Sequence, residues 1–378
     1  MAKKLNVALV TFPYSYAVPT GLADFITTVL APLCHKLVLI TGQLLKVKGK
    51  NIQITRMACQ FREGESLLLR IGKVIIPQFS ISVNLLRLCR KYKVIIFFCT
   101  AELFLLPMLI SWLMRKRIII IHTGNLSLSY GQLYHQGMKR IIPLGLRLLE
   151  KIAFSLAQQI VLQSEEVIAL LKLERYHRKI SLTHYYSIGN QFKPKTDLAQ
   201  RANLVGYIGK FAFFKGAVNF AQAIPLVLAR RRDVRFLMAG GSGSHFQRVE
   251  AELKQNGTLP HVNLYQSVPP GKVARYLNQL KLLVLPSYSE GVPKIILEAM
   301  SCGTPVLATA VGGITGIIED KETGFLLKDN SPQSIAEGII QALEHPQLTN
   351  ISNNARKRIE ENYNINTITR NWQTVLYS

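Results

Sequence analysis

The chain has 378 residues, 48% of them apolar, and a formal net charge of +24 at pH 7. This length is typical of two domains, and the apolar fraction excludes wholesale disorder. The charge is uneven, because residues 1–199 carry +18 and residues 200–378 carry +6. Such a field attracts phosphate groups of nucleic acids or anionic lipids, although a solvated basic surface that favours solubility is the alternative.

The five cysteines are scattered and include no Cys-x-x-Cys pair. Their pattern indicates neither a zinc site nor a disulfide framework, and it fits a reducing cytoplasm. Lys3 and Lys4 precede an apolar run of only Val7–Phe12, which is too short for the core of a secretory leader. We therefore expect a cytoplasmic protein.

Short apolar runs alternate with longer helical patterns, beginning with a strand and then a helix over Gly21–Leu33. Apolar runs without alternation are typical of parallel strands covered on both faces, so two sets of them predict an α/β protein with two doubly wound domains. The predicted strands are Asn6–Thr11, Lys36–Thr41, Lys93–Cys99, Arg117–His122 and Gln159–Gln163 in the first half, and Leu204–Ile208, Val234–Ala239, Val262–Tyr265, Lys281–Leu285 and Thr304–Thr309 in the second.

A polar stretch around Pro194 predicts a linker over residues 193–203, between domains at 1–192 and 204–362. Residues 363–378 form a separate segment, in which Asn366–Tyr377 is predicted to be an amphipathic helix containing Trp372.

Val94–Met114 has basic flanks and only one charge, Glu102, so a transmembrane helix is one interpretation. We favour a buried strand followed by an apolar helix, because Glu102 and Pro107 interrupt the segment and another strand follows at once. Partial insertion of that helix into one leaflet stays open.

The clearest chemical signal follows the strand Lys281–Leu285. A loop leads into a helix opened by Pro293 and ended by Gly303, and its amino end suits a diphosphate. Glu290 in the loop and Glu298 in the helix can face one crevice, where carboxylates accept hydrogen bonds from sugar hydroxyls. On spacing alone, a helix cap and a solvated helix residue explain the two carboxylates at least as well.

Three strings, Ser289–Pro293, Glu298–Val306 and Gly312-Gly313, together resemble the signature of the family 4 (group 1) glycosyltransferases. The resemblance is strong over about residues 200–330 and looser before that. It implies the GT-B fold, in which two Rossmann-like domains face a cleft and a C-terminal helix crosses back to the first domain. It also implies that Glu298 holds the ribose of a nucleotide diphosphate sugar and that Glu290 contacts the transferred sugar.

The resemblance extends to other residues around the donor. Lys210 and Lys215 can neutralise a departing diphosphate, although solvated lysines are the default interpretation and the family usually has Arg at the first position. One departure is Gly316, where the family commonly has Glu. The remaining positions expected to contact the donor are Gly209, Gly240, Val268, Gly291, Val292 and Pro293.

The signals in the first half are weaker. Gly21 matches one of two glycines that the family usually has after the first strand, and His122 ends a strand where related enzymes use a His on the donor sugar. A His in such a place is structural about as often as functional. Gln163–Glu165 and Gly189–Asn190 resemble two further turns of the family.

The resemblance implies a hexosyltransferase that retains anomeric configuration. Together with the basic first domain, it predicts a saccharide or lipid-linked acceptor in cell-envelope or exopolysaccharide synthesis. The resemblance implies front-face attack, with the departing phosphate taking the acceptor proton. No Asp-x-Asp motif occurs, so we expect neither a metal nor a cofactor besides the donor. The basic first domain, with its apolar helix Glu102–Met114 and the run Lys139–Lys151, predicts peripheral binding to an anionic membrane at its inner face.

Two other classes stay open. One is another GT-B enzyme, such as a sugar-nucleotide epimerase or a phosphorylase, and it would need a cofactor lysine or a His/Asp set. The other is a basic nucleic-acid-binding protein, for which the clusters Arg115–Arg117 and Arg230–Arg232 lack interleaved aromatic residues. We therefore expect no nucleic-acid partner.

Overall fold

A computed structural model describes residues 4–11, 21–42, 45, 47–56, 67–88, 90–98, 104–123, 141–241 and 245–378. The chain divides into two compact units. The first unit consists of residues 1–163, 171–187 and 365–378, and the second of residues 164–170 and 188–364.

The first unit contains a parallel sheet of seven strands in the order β3-β2-β1-β4-β5-β6-β7. The inner strands are buried over most of their length because their apolar side chains are covered on both faces, as the unbroken apolar runs predict. The strands are β1 (Leu5–Val10), β2 (Cys34–Thr41), β3 (Ile52–Arg56), β4 (Val94–Phe98), β5 (Arg117–Ile121), β6 (Gln159–Leu162) and β7 (Ile180–Leu182).

Helices connect these strands and cover the sheet. The first helix, α1, has three consecutive pieces: Leu22–Phe25, a π-helical turn at Ile26–Leu30, and Ala31–Leu33. The other helices of this part of the chain are α2 (Leu67–Leu88), α3 (Leu105–Leu113), α4 (Ile141–Leu156) and α5 (Glu166–Leu171), of which α5 lies mostly in the second unit.

The second unit contains a parallel sheet of six strands in the order β10-β9-β8-β11-β12-β13. Its strands are β8 (Leu204–Ile208), β9 (Arg235–Ala239), β10 (Val262–Tyr265), β11 (Leu282–Leu285), β12 (Val306–Thr309) and β13 (Phe325–Leu327). Its helices are α6 (Ala217–Arg230), α7 (Phe246–Gln255), α8 (Pro270–Gln279), α9 (Lys294–Ser301), α10 (Pro332–Glu344) and α11 (Leu348–Asn362).

Two parallel sheets in separate α/β units confirm the predicted fold class. Every predicted strand is present, with ends that shift by at most two residues, although Cys99 lies outside the described residues. The pattern missed three strands, β3, β7 and β13. All three lie at sheet edges, where β3 and β7 keep few buried residues and so lack a continuous apolar run.

The segment Val94–Met114 forms the strand β4 and the helix α3, with β5 following directly, as we favoured over a membrane span. Residues 99–103, between β4 and α3, lie outside the described residues. Within the described part of the chain, no helix combines the length and apolarity needed to cross a membrane.

The predicted linker, residues 193–203, is an integral part of the second unit. The buried guanidinium of Arg201 donates to the carbonyl oxygens of Leu280 and Cys302 at 3.0 and 2.8 Å, and to Thr304 Oγ1 at 2.8 Å. The Arg201 charge, in the stretch that predicted a linker, therefore satisfies backbone carbonyls inside the second unit. The border between the units falls at Ser187–Ile188 instead.

The C-terminal helix α12 (Ile365–Tyr377) belongs to the first unit. Trp372 is fully buried, its ring centroid lies 4.9 Å from that of Phe25, and its indole nitrogen donates to the carbonyl of His184 at 2.7 Å. The hydroxyl of Tyr377 donates to the carbonyl of Leu33 at 2.7 Å. The last helix thus completes the core that the first helix begins, as the crossing C-terminal helix of the resemblance implied.

Candidate active site

The loop after β11 carries the first predicted carboxylate, Glu290. Lys215 Nζ donates to both carboxylate oxygens of Glu290 at 2.7 Å, and Ser287 Oγ donates to Oε1 at 2.8 Å. The Glu290 side chain is only 6% exposed, so the ion pair is shielded from water and its geometry is fixed. Glu290 therefore does not cap the following helix.

Lys215 is held in place by a tight turn. It ends a 3-10 turn, Phe213–Lys215, and is followed by Gly216 at φ +67°. A Cβ at Gly216 would lie 2.0 Å from the carbonyl oxygen of Pro286, so only glycine allows this turn to approach the strand end of β11. Lys215 was identified in the sequence by its charge. The close approach of the Gly216 turn to β11 places the Lys215 ammonium within hydrogen-bond distance of Glu290.

Glu298 lies in the middle of α9 and is 9% exposed. Lys294, one helical turn earlier, lies 3.4 Å from Glu298 Oε1. Burial raises the pKa of the Glu298 carboxyl, and the positive charge of Lys294 opposes that rise. A buried carboxylate with a single cation partner can accept hydrogen bonds from hydroxyl groups of a ligand.

The loop after β12 forms a rim against the Glu290 loop. Gly313 donates its backbone N–H to the carbonyl of Gly291 at 2.9 Å. Gly312 has φ +55°, and a Cβ there would lie 1.8 Å from the carbonyl oxygen of Glu290. The two loops can meet only because residue 312 has no side chain.

Gly209 and Gly240 end the neighbouring strands β8 and β9. A Cβ at Gly240 would lie 2.1 Å from the carbonyl oxygen of Gly209, so the two turns are in backbone contact. Val268 donates its N–H to the carbonyl of Gly240 at 3.2 Å. Three predicted donor-contact residues thus meet at the carboxyl ends of adjacent strands, where α/β sheets bind ligands.

Lys210 follows Gly209 and its side chain is exposed. Its backbone carbonyl accepts a hydrogen bond of 2.7 Å from the buried Tyr207 hydroxyl. Burial first, and then the negative charge of Glu290, raise the pKa of Tyr207. Within the described ranges, no carboxylate forms an ion pair with Lys210, so its charge is available to a ligand.

Two exposed aromatic rings lie beside the Lys215–Glu290 pair, and sequence analysis did not single them out. Phe213 and Tyr288 stack with ring centroids 4.9 Å apart and planes 17° apart. Asn219 Nδ2 donates to the Tyr288 hydroxyl at 3.0 Å, and Tyr288 N donates to the carbonyl of Phe214 at 2.9 Å. Phe213 is 62% exposed, which is unusual for a ring held in a fixed stack.

His122 and Gly21 lie in the first unit. His122 follows β5 and is buried, and its ring packs edge-on against Phe154 at 5.7 Å. Burial lowers the pKa of His122 to about 4, so the imidazole is neutral at pH 7. Its Nδ1 has no hydrogen-bond partner among the described residues. Gly21, at φ 91°, immediately precedes α1.

The departure at Gly316 has a structural counterpart. A Cβ at Gly316 would lie 2.7 Å from Glu166 Oε2, and one at Gly313 would lie 3.1 Å from Ser164 Oγ. The carboxylate of Glu166 therefore occupies the space beside residue 316, so a Glu at that position could not be accommodated unless this side chain moved. The Ser164–Glu165 turn thus lies against the Gly312–Gly316 loop.

The second unit therefore brings together the predicted donor residues in two groups. Lys215, Glu290 and Gly291–Pro293 belong to the first group, and Gly209, Lys210, Gly240 and Val268 to the second. Glu298 lies on α9 and belongs to neither group. Sequence analysis missed Ser287 as a partner of Glu290 and Lys294 as a partner of Glu298, although the spacing of Lys294 and Glu298 by four helical residues is a signal that was available.

Chemically, this arrangement offers cations, backbone amide groups and buried carboxylates at one edge of a parallel sheet. Cations and amide groups suit phosphate oxygens, and carboxylates suit hydroxyl groups. Among the described residues, no cluster of His, Cys, Asp and Glu has the arrangement of a metal site.

Comparisons with known proteins identify a similar family and similar folds. Residues 190–358 match the family described as Glycosyl transferases group 1. A D-inositol 3-phosphate glycosyltransferase of Segniliparus rotundus is 26% identical over 271 residues, which cover 63% of this chain and 56% of that protein. The match thus spans little more than half the length of this curated relative.

Two solved structures resemble the whole chain. Sucrose-phosphate synthase from Thermosynechococcus elongatus has a TM-score of 0.76 at 19% identity, covering 99% of this chain and 98% of its own. HepE of Anabaena, solved in complex with UDP and glucose, has a TM-score of 0.73 at 16% identity. The similarity covers 99% of this chain and 100% of the HepE chain. These similarities show the GT-B fold. Over residues 190–358, the chain is similar to the group 1 glycosyltransferases.

Proposed function

We propose that the protein transfers a hexose from a nucleoside diphosphate sugar to a saccharide or lipid-linked acceptor, with retention of anomeric configuration. The observation that carries this proposal is the buried Glu290 carboxylate, fixed by Lys215 and Ser287 beside the glycine rim. A carboxylate held in this way can accept hydrogen bonds from hydroxyls of the transferred sugar. The match of residues 190–358 to the group 1 glycosyltransferase family supports the same conclusion.

The donor is held by the second unit in this proposal. Glu298 accepts hydrogen bonds from the ribose hydroxyls, and its burial strengthens them. The turns at Gly209, Gly240 and Val268 border the nucleotide, because they meet at the carboxyl ends of adjacent parallel strands. UDP is the first nucleotide to test, since HepE was solved with UDP.

The reaction forms a bond between the acceptor oxygen and the anomeric carbon, and it breaks the bond from that carbon to the β-phosphate oxygen. The acceptor proton passes to the departing phosphate on the same face of the sugar. The exposed ammonium of Lys210, together with Lys215, stabilises the charge that develops on the diphosphate. No side chain is assigned as a nucleophile, and neither a metal nor another cofactor enters the proposed step.

A neutral His122, with Nδ1 unsatisfied among the described residues, suits a hydrogen bond to a sugar hydroxyl. We include it as a contact to the donor sugar. Gly21 is included as a close backbone approach to the donor. We further propose that the protein works in the cytoplasm, at the inner face of a membrane, in the synthesis of envelope or extracellular glycans.

A screen of nucleotide sugars tests the proposal. Thermal stabilisation and donor hydrolysis are measured for UDP, GDP, ADP and CMP sugars, with the wild type and with Glu298→Ala. Glu250→Ala is the matched control, because Glu250 and Lys254 form an i,i+4 ion pair on an exposed helix of the same unit. We expect one nucleotide class to stabilise the wild type and the control but not Glu298→Ala. Lack of stabilisation by every class would overturn the proposal.

A further inference from the structure

Helix α2 exposes a row of large apolar side chains. Ile76 and Phe79 are 68% and 59% exposed, and Ile75, Val83 and Leu86 continue the row along the helix. The opposite side of the helix packs inward through buried residues such as Ile81 and Leu85. The exposed row is therefore an additional apolar face, not the edge of the core.

The same pattern recurs on α3. Leu109, Trp112 and Leu113 are exposed, whereas Met108 and Ser111 on the other side are fully buried. The two helices lie side by side, and Gln78 Oε1 of α2 accepts a hydrogen bond of 3.1 Å from the backbone N–H of Leu106. Their exposed rows are therefore neighbours.

Helix α4 packs against the other side of α3 and adds a third row. Leu144 and Leu148 are 69% and 60% exposed, with Leu149 and Ile152 beside them, whereas Ala153 and Phe154 are buried. Three adjacent helices thus present apolar side chains on their outward sides. An apolar surface of this extent marks an interaction site.

Basic residues accompany these rows. Arg147 and Lys151 are exposed within the α4 row, and Arg87 lies at the end of α2. After α3, Arg115 is exposed in a left-handed conformation at φ 54°. Apolar side chains mixed with cations are typical of surfaces that enter the boundary between lipid headgroups and acyl chains.

A cavity of about 600 Å³ opens where α3 ends, lined by Trp112, Leu113, Arg115, Lys116, Arg117 and Gln158. The guanidinium of Arg117 is fixed, because it donates to the carbonyl oxygens of Val375 and Leu376 at 2.8 Å. The cavity therefore has one fixed cation in its wall, an exposed cation at Arg115 and an indole ring. This chemistry suits a lipid phosphate beside an interfacial tryptophan.

We propose that the outward face of α2, α3 and α4 docks on an anionic lipid bilayer, with Trp112 at the headgroup level and a lipid phosphate in the cavity beside Arg115. This inference names the surface behind the membrane association in the proposed function. It does not depend on the transfer chemistry. The occupant is assigned from charge, because the three apolar rows carry cations and the first 199 residues carry +18.

Tryptophan fluorescence tests the proposal directly. The chain has two tryptophans, and Trp372 is fully buried, so a change in emission on adding vesicles reports Trp112. We expect a blue shift with mixed phosphatidylcholine–phosphatidylglycerol vesicles at low salt, and none with phosphatidylcholine alone. Trp112→Phe should remove the shift and retain most of the binding seen by cosedimentation.

The double variant Leu144→Glu/Leu148→Glu tests the face itself. Both side chains are already exposed, so the fold should tolerate the change. We expect the affinity for vesicles to fall by a factor of about ten or more. Leu226→Glu, on an exposed apolar residue of α6 in the second unit, is the matched control and should bind like the wild type. Arg115→Gln should weaken binding and reduce its salt dependence.

Three outcomes would overturn the proposal. The first is that the wild type does not bind anionic vesicles at low salt, and the second is that the double variant binds them as tightly as the wild type. The third is that the wild type is a dimer, the double variant is a monomer, and neither binds vesicles. Hydrolysis of the nucleotide sugar by the same variants is measured in solution. It separates failure at the membrane from failure of the proposed transferase activity.

Discussion

Lys215 Nζ lies 2.7 Å from both carboxylate oxygens of Glu290, and the Glu290 side chain is almost fully buried. The two residues are 75 positions apart in sequence and come from two different loops. We therefore expect this ion pair to contribute both to the stability of the second unit and to the proposed activity.

Replacement of Lys215 by Ala should destabilise the protein and abolish most activity. The Glu290 carboxylate would stay buried without its cation, which costs about 2–3 kcal/mol of unfolding free energy. We expect kcat to fall about 100-fold or more, because a cation near the diphosphate is lost. Urea unfolding and donor hydrolysis measure the two effects.

The double variant Lys215→Ala/Glu290→Gln separates these effects. It removes the charge that Lys215→Ala leaves unpaired, so stability should partly return while activity stays low. Lys215→Arg keeps the charge and should retain more of both. Equal stability of the single and double variants would show that the unpaired Glu290 charge does not destabilise the fold.

Replacement of Glu298 by Gln should stabilise the fold and weaken donor binding. Burial raises the folded-state pKa of Glu298, so its contribution to stability is full below the unfolded-state pKa and is lost as pH rises through the folded-state pKa. The stability advantage of the Gln variant should therefore grow with pH, reaching about 2–4 °C in Tm. Glu250→Gln is the control, and a Glu298→Gln variant less stable at every pH would contradict the assignment.

The same variant should bind the donor less tightly. A charged hydrogen bond to a ribose hydroxyl contributes about 1.5–3 kcal/mol, so we expect Kd for the nucleotide sugar to rise about 10- to 100-fold. Isothermal titration calorimetry measures this rise. Unchanged affinity would remove Glu298 from the donor site.

Gly240→Ala and Gly241→Ala form a matched pair. A Cβ at Gly240 would lie 2.1 Å from the backbone oxygen of Gly209, whereas one at Gly241 meets only a side-chain carbon of Lys210 at 4.0 Å. We expect Gly240→Ala to cost more than about 2 kcal/mol of unfolding free energy and Gly241→Ala to be nearly neutral. Equal effects in urea unfolding would mean that the two turns are not in close contact.

Phe213→Ala should weaken the binding of the acceptor and leave the binding of the donor unchanged. Its ring is held on Tyr288 with one face open to solvent, and sugar rings bind such faces through their C–H groups. We expect KM for a saccharide acceptor to rise about three- to tenfold, with kcat unchanged, because one ring contact contributes about 1 kcal/mol. Leu226→Ala is the control, and a change in the donor KM alone would place the stack elsewhere in the reaction.

His122 and His184 should make the protein sensitive to acid. Burial lowers the pKa of each to about 4, from 6.5 in the unfolded chain. The unfolded state binds more protons between these values, so stability falls as pH decreases from about 6.5 to about 4. His122→Gln should flatten this dependence in pH-dependent urea unfolding, whereas the same change at the exposed His35 should not. An unchanged slope would show that folding does not lower the pKa of His122.

Much of the fold could be predicted because parallel strands buried on both faces leave a distinct apolar pattern. The central strand β8 was predicted with its bounds unchanged, whereas the edge strand β3 alternates exposed and half-buried residues and was missed. Residues 193–203 appeared polar enough for a linker. Sequence alone could not show that the Arg201 guanidinium is buried against three acceptors.

Part of the site could also be predicted from the sequence, because some of its residues belong to a recognisable motif. Glu290, Glu298 and Lys215 were found through motif and charge, which depend on residue type. The pairing of Lys215 with Glu290, the Phe213–Tyr288 stack and the contact of Glu166 with Gly316 depend on how distant loops meet. Such contacts are set by tertiary packing and leave no local signal in the sequence.

The helix α12 has a consequence for folding during synthesis. Trp372 and Tyr377 complete the core of the first unit, yet they follow residues 188–364 of the second unit in the chain. Most of the second unit, residues 188–364, is complete before them. The core of the first unit therefore stays incomplete, with the site beside Phe25 unfilled, until residues 365–378 have been synthesised, and the second unit can reach its native state first.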